Sequence, residues 1–279
     1  MISNALDRQR SWKRAAFGLL AAIAVITAIF AIGLPAELGA LSLIPLVGLF
    51  WYLGRFSRAE MGFVWGRGRY YSLGLLQPAF VFGPVALAAW LAGAIHLQTS
   101  DWPKTMFNLA TTIPITILLA VITEEGFFRG WLWAALQRAR LSKVWVVVLT
   151  SIAIAAWHLP VALLSTEFNL SPVQALMYVS NVTITGVIMG VLRLVSGSVV
   201  VPSISHGIWN GILYPLFGAG AQIGFLGIQD STFHPEVGVL GLVLNLVLSI
   251  GLWLWYWHAD RKRVASQGWR PKLDNVHLP

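Results

Sequence analysis

Residues 15–34 read AAFGLLAAIAVITAIFAIGL, a stretch without a charged side chain. A helix needs about 20 mostly apolar residues to cross the hydrocarbon core of a bilayer, so this stretch predicts a transmembrane helix. Arg14 precedes it and no small-residue cleavage site follows it, so we interpret it as an anchor and not as a removed signal peptide. The same criterion predicts seven further spans, at residues 36–53, 71–95, 105–128, 143–164, 173–194, 198–217 and 237–257.

The composition of the 279-residue chain agrees with a membrane protein. Hydrophobic residues make up 57% of it and charged residues only 11%, whereas soluble domains carry about 25% charged residues. This excludes an ordinary soluble enzyme and a disordered protein. The chain has no cysteine, which excludes a disulfide scaffold, a Cys-ligated metal site and a cysteine nucleophile. We therefore predict one all-α domain, residues 1–279, that is a polytopic membrane protein of about eight transmembrane helices.

The basic residues predict which loops are cytoplasmic. With the N-terminus inside and eight spans, every Lys and Arg except Lys104 falls in a cytoplasmic segment, as the positive-inside rule expects. The outer connections instead hold acidic residues, namely Glu37, Asp101, Glu167, Asp230 and Glu236. Both termini are therefore predicted in the cytoplasm. The net charge of +8 reflects topology and contact with the lipid bilayer, so no nucleic-acid partner is expected.

The fourth span is predicted to be unusually long. Residues 126–137, GFFRGWLWAALQ, are too apolar for a free loop, so we expect the helix to continue through them and to turn near Leu141 and Ser142. Glu124 and His158 are equally distant from Leu141 along the chain. An antiparallel hairpin that turns there would place both side chains at the same depth.

Three ionisable residues lie in this long helix. An ionised side chain at a helix centre costs roughly 2.5–3.5 kcal/mol, so such residues usually mark function. Glu125 and Arg129 are four residues apart, which favours an ion pair in a supporting role. Glu124 points about 100° away from Glu125 around the helix, which leaves it a free carboxylate. The alternative is that all three residues snorkel to the cytoplasmic interface.

His158 is the only ionisable residue of its span beyond the starting Lys143, and it lies in the segment SIAIAAWHLP. Pro160 lacks an N–H group, so we expect it to disrupt the helix and to free the carbonyl of Ala156 beside His158. Broken helices inside membrane proteins tend to line cavities. The alternative is that His158 is an ordinary packing residue.

His206 and Asn210 share one helix face, since they are four residues apart in PSISHGIWNG. Gly207 and Gly211 repeat this spacing on an adjacent face and would allow another helix to approach closely. The alternative is that His206 and Asn210 only form a hydrogen bond between helices.

Together these residues are sufficient for peptide hydrolysis. Glu124 can take a proton from water as general base, and His158 can position the same water. His206 and Asn210 can donate hydrogen bonds to the developing oxyanion. The HExxH zinc motif is absent. We favour no cofactor, although a zinc ion held by Glu124, His158 and His206 stays open as an alternative.

Three motifs at these residues resemble the CAAX protease and bacteriocin-processing (CPBP) family of intramembrane proteases. The family pattern EExxxR matches EEGFFR at 124–129, and HxxxN/D matches HGIWN at 206–210. The pattern FxxxH matches IAAWH at 154–158, with Ile in place of the usual Phe. The resemblance covers about residues 105–215, which we expect to form the catalytic helices.

The resemblance implies an eight-helix membrane fold and an endopeptidase. It implies Glu124 as catalytic base, His158 as its partner on the water, and His206 with Asn210 as the oxyanion site. Family members are described as metalloproteases, and the residues fit a metal-free glutamate mechanism equally well. The expected substrate is a membrane-associated protein or peptide, and the expected location is the cytoplasmic membrane of a bacterium.

Two functions from other classes remain open at the level of sequence. The Glu, Arg and His side chains could form the proton or ion path of a transporter or channel. Such a protein should carry inverted repeats with paired broken helices, and the sequence indicates neither. A non-catalytic, immunity-type membrane protein could also keep this fold without turnover.

Overall fold

The computed structural model describes residues 2–97, 102–220 and 222–268 of the chain. Asp101 of the predicted outer loop and the C-terminal segment 269–279 lie outside the described residues. The described part is helical apart from a small hairpin, in which Gly218–Ala219 (β1) pairs antiparallel with Gln222–Ile223 (β2). The predicted all-α architecture is confirmed.

The α-helices follow one another with short connections. In chain order they are α1 (Ile2–Ala31), α2 (Glu37–Leu41), α3 (Leu43–Gly54), α4 (Arg58–Met61), α5 (Tyr71–Leu91), α6 (Trp102–Ile122), α7 (Trp133–Arg138), α8 (Lys143–Leu164), α9 (Pro172–Ser196), α10 (Val200–Ile212) and α11 (Val239–Gly268). Two π-helical segments, Glu125–Leu132 and Leu213–Phe217, and two short 3₁₀ turns, Gly68–Tyr70 and Ser231–Phe233, complete the described structure.

Seven stretches of the described chain are long and apolar enough to cross a membrane. They are Gln9–Ala31, Glu37–Gly54, Gly68–Leu91, Trp102–Arg138, Lys143–Leu164, Pro172–Ser196 and Val239–Lys262. Their outward faces carry large apolar side chains, as at Phe17, Leu75 and Leu163, which are 67%, 52% and 70% exposed. Such exposure suits contact with lipid and would be costly in water.

The predicted span 198–217 is the exception, because it forms the shorter and more polar helix α10. This helix nevertheless passes from one side of the bundle to the other. At its start, the backbone N–H of Val199 donates to the Gly62 carbonyl (2.9 Å), on the side of the basic loops. Beyond its end, the N–H of His96 donates to the Leu226 carbonyl (3.0 Å), on the opposite side. α10 therefore runs through the interior of the bundle, and the eighth predicted span is not among the seven candidate spans of the described chain.

The long fourth span is present as predicted. It runs from Trp102 to Arg138 without a break, and Ser142 caps the start of α8 by accepting from the Trp145 N–H. In its middle the helix widens into the π-helical segment Glu125–Leu132. π-bulges of this kind are frequent at functional sites.

Glycines let α10 lie directly against α6. A β-carbon added at Gly207 would collide with the backbone of Ile117, and one at Gly211 would lie 2.7 Å from the α-carbon of Ile113. Contacts this short are not found at the β-carbons of real side chains. The close approach predicted for this pair of glycines is therefore present, and it brings α10 beside the π-helical segment.

Arginines close the side of the bundle that carries the basic loops. Arg138 bonds the Glu60 carboxylate through Nε (2.8 Å) and the Gly54 carbonyl through Nη1 (2.6 Å). Arg193 donates from Nε to the Arg129 carbonyl (3.0 Å) and from Nη2 to the Glu60 carbonyl (3.2 Å). Hydrogen bonds from charged donors are stronger than neutral ones, so these contacts fix the α4 region against α7 and α9.

Candidate active site

Glu124 stands at the junction between α6 and the π-helical segment. Its side chain is 12% exposed, and the remaining exposure opens into a cavity of about 440 Å³. Its Oε2 atom is buried and has no hydrogen-bond partner among the described residues. Buried carboxylate oxygens normally have partners, so this atom is placed to receive a water or a ligand group.

Two imidazoles converge on this oxygen. The Nε2 atom of His158 lies 3.7 Å from Glu124 Oε2, and the Nε2 atom of His206 lies 3.9 Å from the same atom. The junction after α6, helix α8 and helix α10 supply the three residues. The structure thus brings together side chains that the sequence separates by more than thirty positions each.

Hydrogen bonds on the far side of each ring orient the imidazoles. His158 Nδ1 lies 2.9 Å from the Ile154 carbonyl, and His206 Nδ1 lies 3.0 Å from Glu125 Oε1. Carbonyl and carboxylate oxygens accept hydrogen bonds, so both Nδ1 atoms carry a proton and both Nε2 atoms face Glu124. His158 is also held between the rings of Trp157 and Tyr178, with centroids 4.9 and 5.8 Å away.

The sequence prediction for Pro160 is wrong in one respect. α8 continues past Pro160 to Leu164 without a break. The proline stands in the last turns of the helix, where few backbone hydrogen bonds follow it, so its effect is small. The carbonyl that His158 binds is that of Ile154, and not the Ala156 carbonyl that a broken helix would expose.

Glu125 is fully buried and does not line the cavity. Its side chain and that of Arg129 are both 0% exposed, and Arg129 Nη1 lies 3.4 Å from Glu125 Oε1. Arg129 also donates from Nη2 to the Gly186 carbonyl of α9 (3.0 Å). The ion pair expected from their spacing is present. The contact of Glu125 with His206 was not predicted, because the sequence gives no register between α10 and the π-helical segment.

Asn210 lines the same cavity as Glu124, His158 and His206. It follows His206 by one helical turn, so the two side chains occupy the same wall. Tyr178 and Tyr214 also line the cavity. All four residues predicted to act directly on the substrate or water therefore border one space.

A third acidic residue approaches the site from a loop. Glu236 belongs to the connection before α11, and the Asn181 amide fixes that loop by donating to the carbonyls of Pro235 (2.8 Å) and Glu236 (3.0 Å). Burial raises the pKa of the Glu236 carboxyl to about 7, against the lowering effect of a hydrogen bond from Trp209. The sequence placed Glu236 in an outer loop, and no pattern in that loop could have predicted its inward position.

The donor atoms at the site are of the types that bind a metal ion, but the side chains are not arranged as a complete set of metal ligands. Two histidines and one glutamate form a zinc set in known hydrolases, and Glu124 Oε2 has no other partner in the described structure. Within the described residues, no group of three or more His, Cys, Asp or Glu side chains is arranged to hold a metal.

Comparison with protein families gives a match to this part of the chain. Residues 106–212 match the family model described as type II CAAX prenyl endopeptidase Rce1-like. This segment contains α6 from Met106, the π-helical segment that follows it, and α7 to α10, and so it holds every predicted site residue. Comparisons with curated proteins and with solved structures gave no significant match. The predicted family resemblance is confirmed over residues 106–212, and it indicates a membrane protease.

Proposed function

We propose that this chain is an intramembrane endopeptidase in which Glu124 activates water. The observation that carries the proposal is the convergence of Glu124 Oε2 with the Nε2 atoms of His158 and His206 at one cavity inside the membrane-spanning helices. The alternative of an ion path is disfavoured at Glu125 and Arg129, since both side chains are 0% exposed and neither lines the cavity beside Glu124.

The attacking water binds between Glu124 and His158. The unpartnered Glu124 Oε2 accepts one of its hydrogens, and His158 Nε2 accepts the other, because the bond to the Ile154 carbonyl keeps the ring proton on Nδ1. The water oxygen then points its lone pairs away from both acceptors. This orientation favours attack on a carbonyl carbon in the cavity.

His206 is protonated on both ring nitrogens, and its Nε2–H donates a hydrogen bond to the oxyanion. Glu124 and Glu125 place two negative charges beside this ring, and Arg129 supplies one positive charge. A protonated His206 makes the group of four neutral, which lowers the cost of burying it. Its Nε2–H and the Asn210 amide then stabilise the charge that develops on the substrate carbonyl oxygen.

The reaction balances with these groups alone. Glu124 takes a proton as the water oxygen bonds to the carbonyl carbon, which gives a tetrahedral intermediate with its oxyanion near His206 and Asn210. The carbon–nitrogen bond then breaks, and the proton held by Glu124 passes to the leaving amine. The products are a carboxylic acid and an amine, which become a carboxylate and an ammonium when the acid proton passes to the amine, and Glu124 returns to its charged form.

A zinc-dependent scheme uses the same residues differently. Glu124, His158 and His206 would hold the ion, and zinc supplies a more acidic bound water and polarises carbonyl groups. Asn210 would then act beside the site and not as a paired donor. We favour the metal-free scheme because Glu125 and Glu124 together favour a protonated His206. Stoichiometric zinc in active protein, lost with activity on chelation and restored by zinc, would contradict it.

The proposed substrates are membrane-associated proteins or peptides, since the cavity lies within helices that face lipid. Replacing Glu124 with Gln tests the proposal, because Gln keeps the shape and removes the base. We expect loss of a general base to slow proteolysis by about 10²–10⁴-fold. The measurement is the set of new N-termini in the membrane proteome of cells that express wild type or Glu124→Gln.

Asp230→Asn is the matched control for this test. Asp230 is an exposed carboxylate that accepts from the Thr232 N–H and does not line the cavity. The substitution Asp230→Asn removes one negative charge and leaves the site unchanged. Cleavage products that persist unchanged in folded Glu124→Gln would refute the assigned base.

A further inference from the structure

A second cavity, of about 130 Å³, lies near the basic loops. In the described chain it shares no lining residue with the cavity beside Glu124. It is formed near the start of the apolar stretch Gln9–Ala31 and at the ends of the stretches Glu37–Gly54 and Trp102–Arg138. Basic residues at the ends of membrane helices lie where hydrocarbon meets water. This cavity therefore lies at the depth of lipid headgroups.

One wall of this headgroup-level cavity is aromatic. Phe50 stacks on Trp131, with ring centroids 4.6 Å apart, and Phe17 meets Phe50 edge to face, with centroids 6.3 Å apart. Phe17 and Leu53 also line the cavity, and they are 67% and 55% exposed. Contiguous exposed apolar side chains of this kind mark a surface that contacts a membrane or a ligand. The cavity thus opens towards the acyl chains of the bilayer.

Two arginines from different helices line the same cavity. Arg14 of α1 is exposed and forms no hydrogen bond or ion pair with the described residues. Arg138 is held by the Glu60 carboxylate (2.8 Å) and the Gly54 carbonyl (2.6 Å), and its guanidinium carbon lies 3.9 Å from the centre of the Phe56 ring. One arginine is therefore fixed at the cavity, and the charge of the other is not compensated.

The charge of the cavity lining favours an anion. No Asp or Glu lines the cavity in the part of the chain that the structure describes. Glu60 lies nearby, but both of its carboxylate oxygens accept from Arg138, so it does not compensate Arg14. Arginine suits phosphate groups because its planar guanidinium presents several N–H donors. A ligand that matches the whole cavity carries a phosphate at Arg14 and an apolar chain along the aromatic wall.

We propose that this cavity binds an anionic phospholipid from the leaflet on the side of the basic loops. Arg14 donates to the phosphate, Arg138 adds a second positive charge, and the upper part of an acyl chain contacts Phe17 and Leu53. The lipid is bound at a defined place between α1, α3 and α7, in addition to the general attraction of basic loops for anionic lipids. The inference does not depend on the proposed function.

The bound lipid also supports the helix that carries the candidate active site. Trp131 is 1% exposed and belongs to the π-helical segment Glu125–Leu132. A β-carbon added at Gly18 would collide with the Trp131 ring, so α1 lies directly against this residue. A lipid that fills the gap between α1 and α3 holds Trp131 from the membrane side. A ligand that binds only the folded state stabilises it according to its concentration and affinity.

Lipid binding to the purified full-length chain in detergent tests the headgroup part of the proposal. The probes are phosphatidylglycerol, which has one negative charge, and phosphatidylcholine with the same acyl chains and no net charge. Native mass spectrometry measures the affinity for the first bound lipid. We expect wild type to bind phosphatidylglycerol about tenfold more tightly than phosphatidylcholine, and Arg14→Gln to lose about fivefold in affinity for phosphatidylglycerol alone.

Lys13→Gln is the matched control for Arg14→Gln. It removes one positive charge from the neighbouring position, which does not line the cavity. We expect its affinity for phosphatidylglycerol to stay within about twofold of wild type, because only a general surface attraction is reduced. Equal binding of the two lipids to wild type, or equal losses in Arg14→Gln and Lys13→Gln, would overturn the proposal.

A second pair of variants tests the apolar part without a change of charge. Leu53→Trp places a larger side chain in the cavity, whereas Leu49→Trp places it one turn earlier on α3, outside the cavity. Both leucines are exposed, at 55% and 49%, so both variants should fold. We expect Leu53→Trp to weaken phosphatidylglycerol binding at least about fivefold and Leu49→Trp to change it less than about twofold. Unchanged binding by Leu53→Trp would contradict the proposed site.

Melting temperature distinguishes a lipid from a soluble anion. Added phosphatidylglycerol should raise the melting temperature of wild type by several degrees and that of Arg14→Gln by clearly less. Inorganic phosphate should neither raise it nor displace the lipid, because it cannot cover the aromatic wall. Displacement of the lipid by inorganic phosphate would show a phosphate site and overturn the proposal. Absence of Glu124-dependent cleavage, with lipid binding as expected here, would count against the proposed function alone.

Discussion

Glu124 and Glu125 are adjacent and chemically identical, yet they lie in opposite environments. Glu124 is 12% exposed and lines the cavity. Glu125 is 0% exposed and contacts Arg129 and His206. One position along the chain thus separates a group that can act on water from a group that can only support its neighbours.

The π-helical segment and α9 explain the difference. The helix widens from Glu125 onward, and the Gly186 carbonyl of α9 receives Arg129 from behind (3.0 Å). A β-carbon at Gly186 would lie 3.1 Å from the α-carbon of Ser151, so α8 and α9 pack closely at this level. His206 links the two environments, because its Nδ1 faces Glu125 and its Nε2 faces Glu124.

The largest effect is expected on stability, from a substitution in the buried pair of Glu125 and Arg129. Arg129→Gln removes the Arg129 charge and leaves the buried Glu125 carboxylate with His206 as its remaining partner, and loss of one member of a buried ion pair typically costs about 3–5 kcal/mol. We expect a marked loss of thermal stability in detergent. A double-mutant cycle with Glu125→Gln measures the coupling, and the double variant should lose less than the sum of the single variants. Additive losses would show that the two side chains do not stabilise each other.

Substitutions of residues that line the cavity should affect catalysis more than stability. Asn210→Ala removes a proposed oxyanion donor, which typically lowers kcat by about 10²–10³-fold, or about 2.7–4 kcal/mol. KM should change little, because the donor acts mainly on the transition state. Melting temperature is the control and should stay near that of wild type. A change confined to KM would assign Asn210 to substrate binding.

The smallest effect concerns Glu236, which lies outside the membrane-spanning helices. Burial raises the pKa of its carboxyl from the ordinary 4.5 to about 7, so the folded protein keeps a proton that the unfolded chain releases. The contribution of Glu236 to stability should therefore be fully present below about pH 4.5 and be lost as the pH rises from about 4.5 to 7. We expect Glu236→Gln to reduce that fall in melting temperature by a few degrees. Identical pH profiles for both proteins would contradict the raised pKa.

Much of the architecture could be predicted from the sequence. Long apolar stretches specify membrane helices because the bilayer leaves no other way to satisfy the backbone. The continuation of the fourth span through GFFRGWLWAALQ and its end near Ser142 also followed from local composition. The spacing of Glu125 and Arg129 sufficed to predict their ion pair, because it is a contact within one helix.

Contacts between helices were decided only by the tertiary structure. The bond from His206 to Glu125 depends on how α10 lies against the π-helical segment, and the inward position of Glu236 depends on Asn181 of α9. Glu37 and Glu167 line the same cavity although they lie far apart in the chain. Sequence periodicity fixes which face of a helix is polar, but the register and depth of neighbouring helices arise from side-chain packing across the whole bundle.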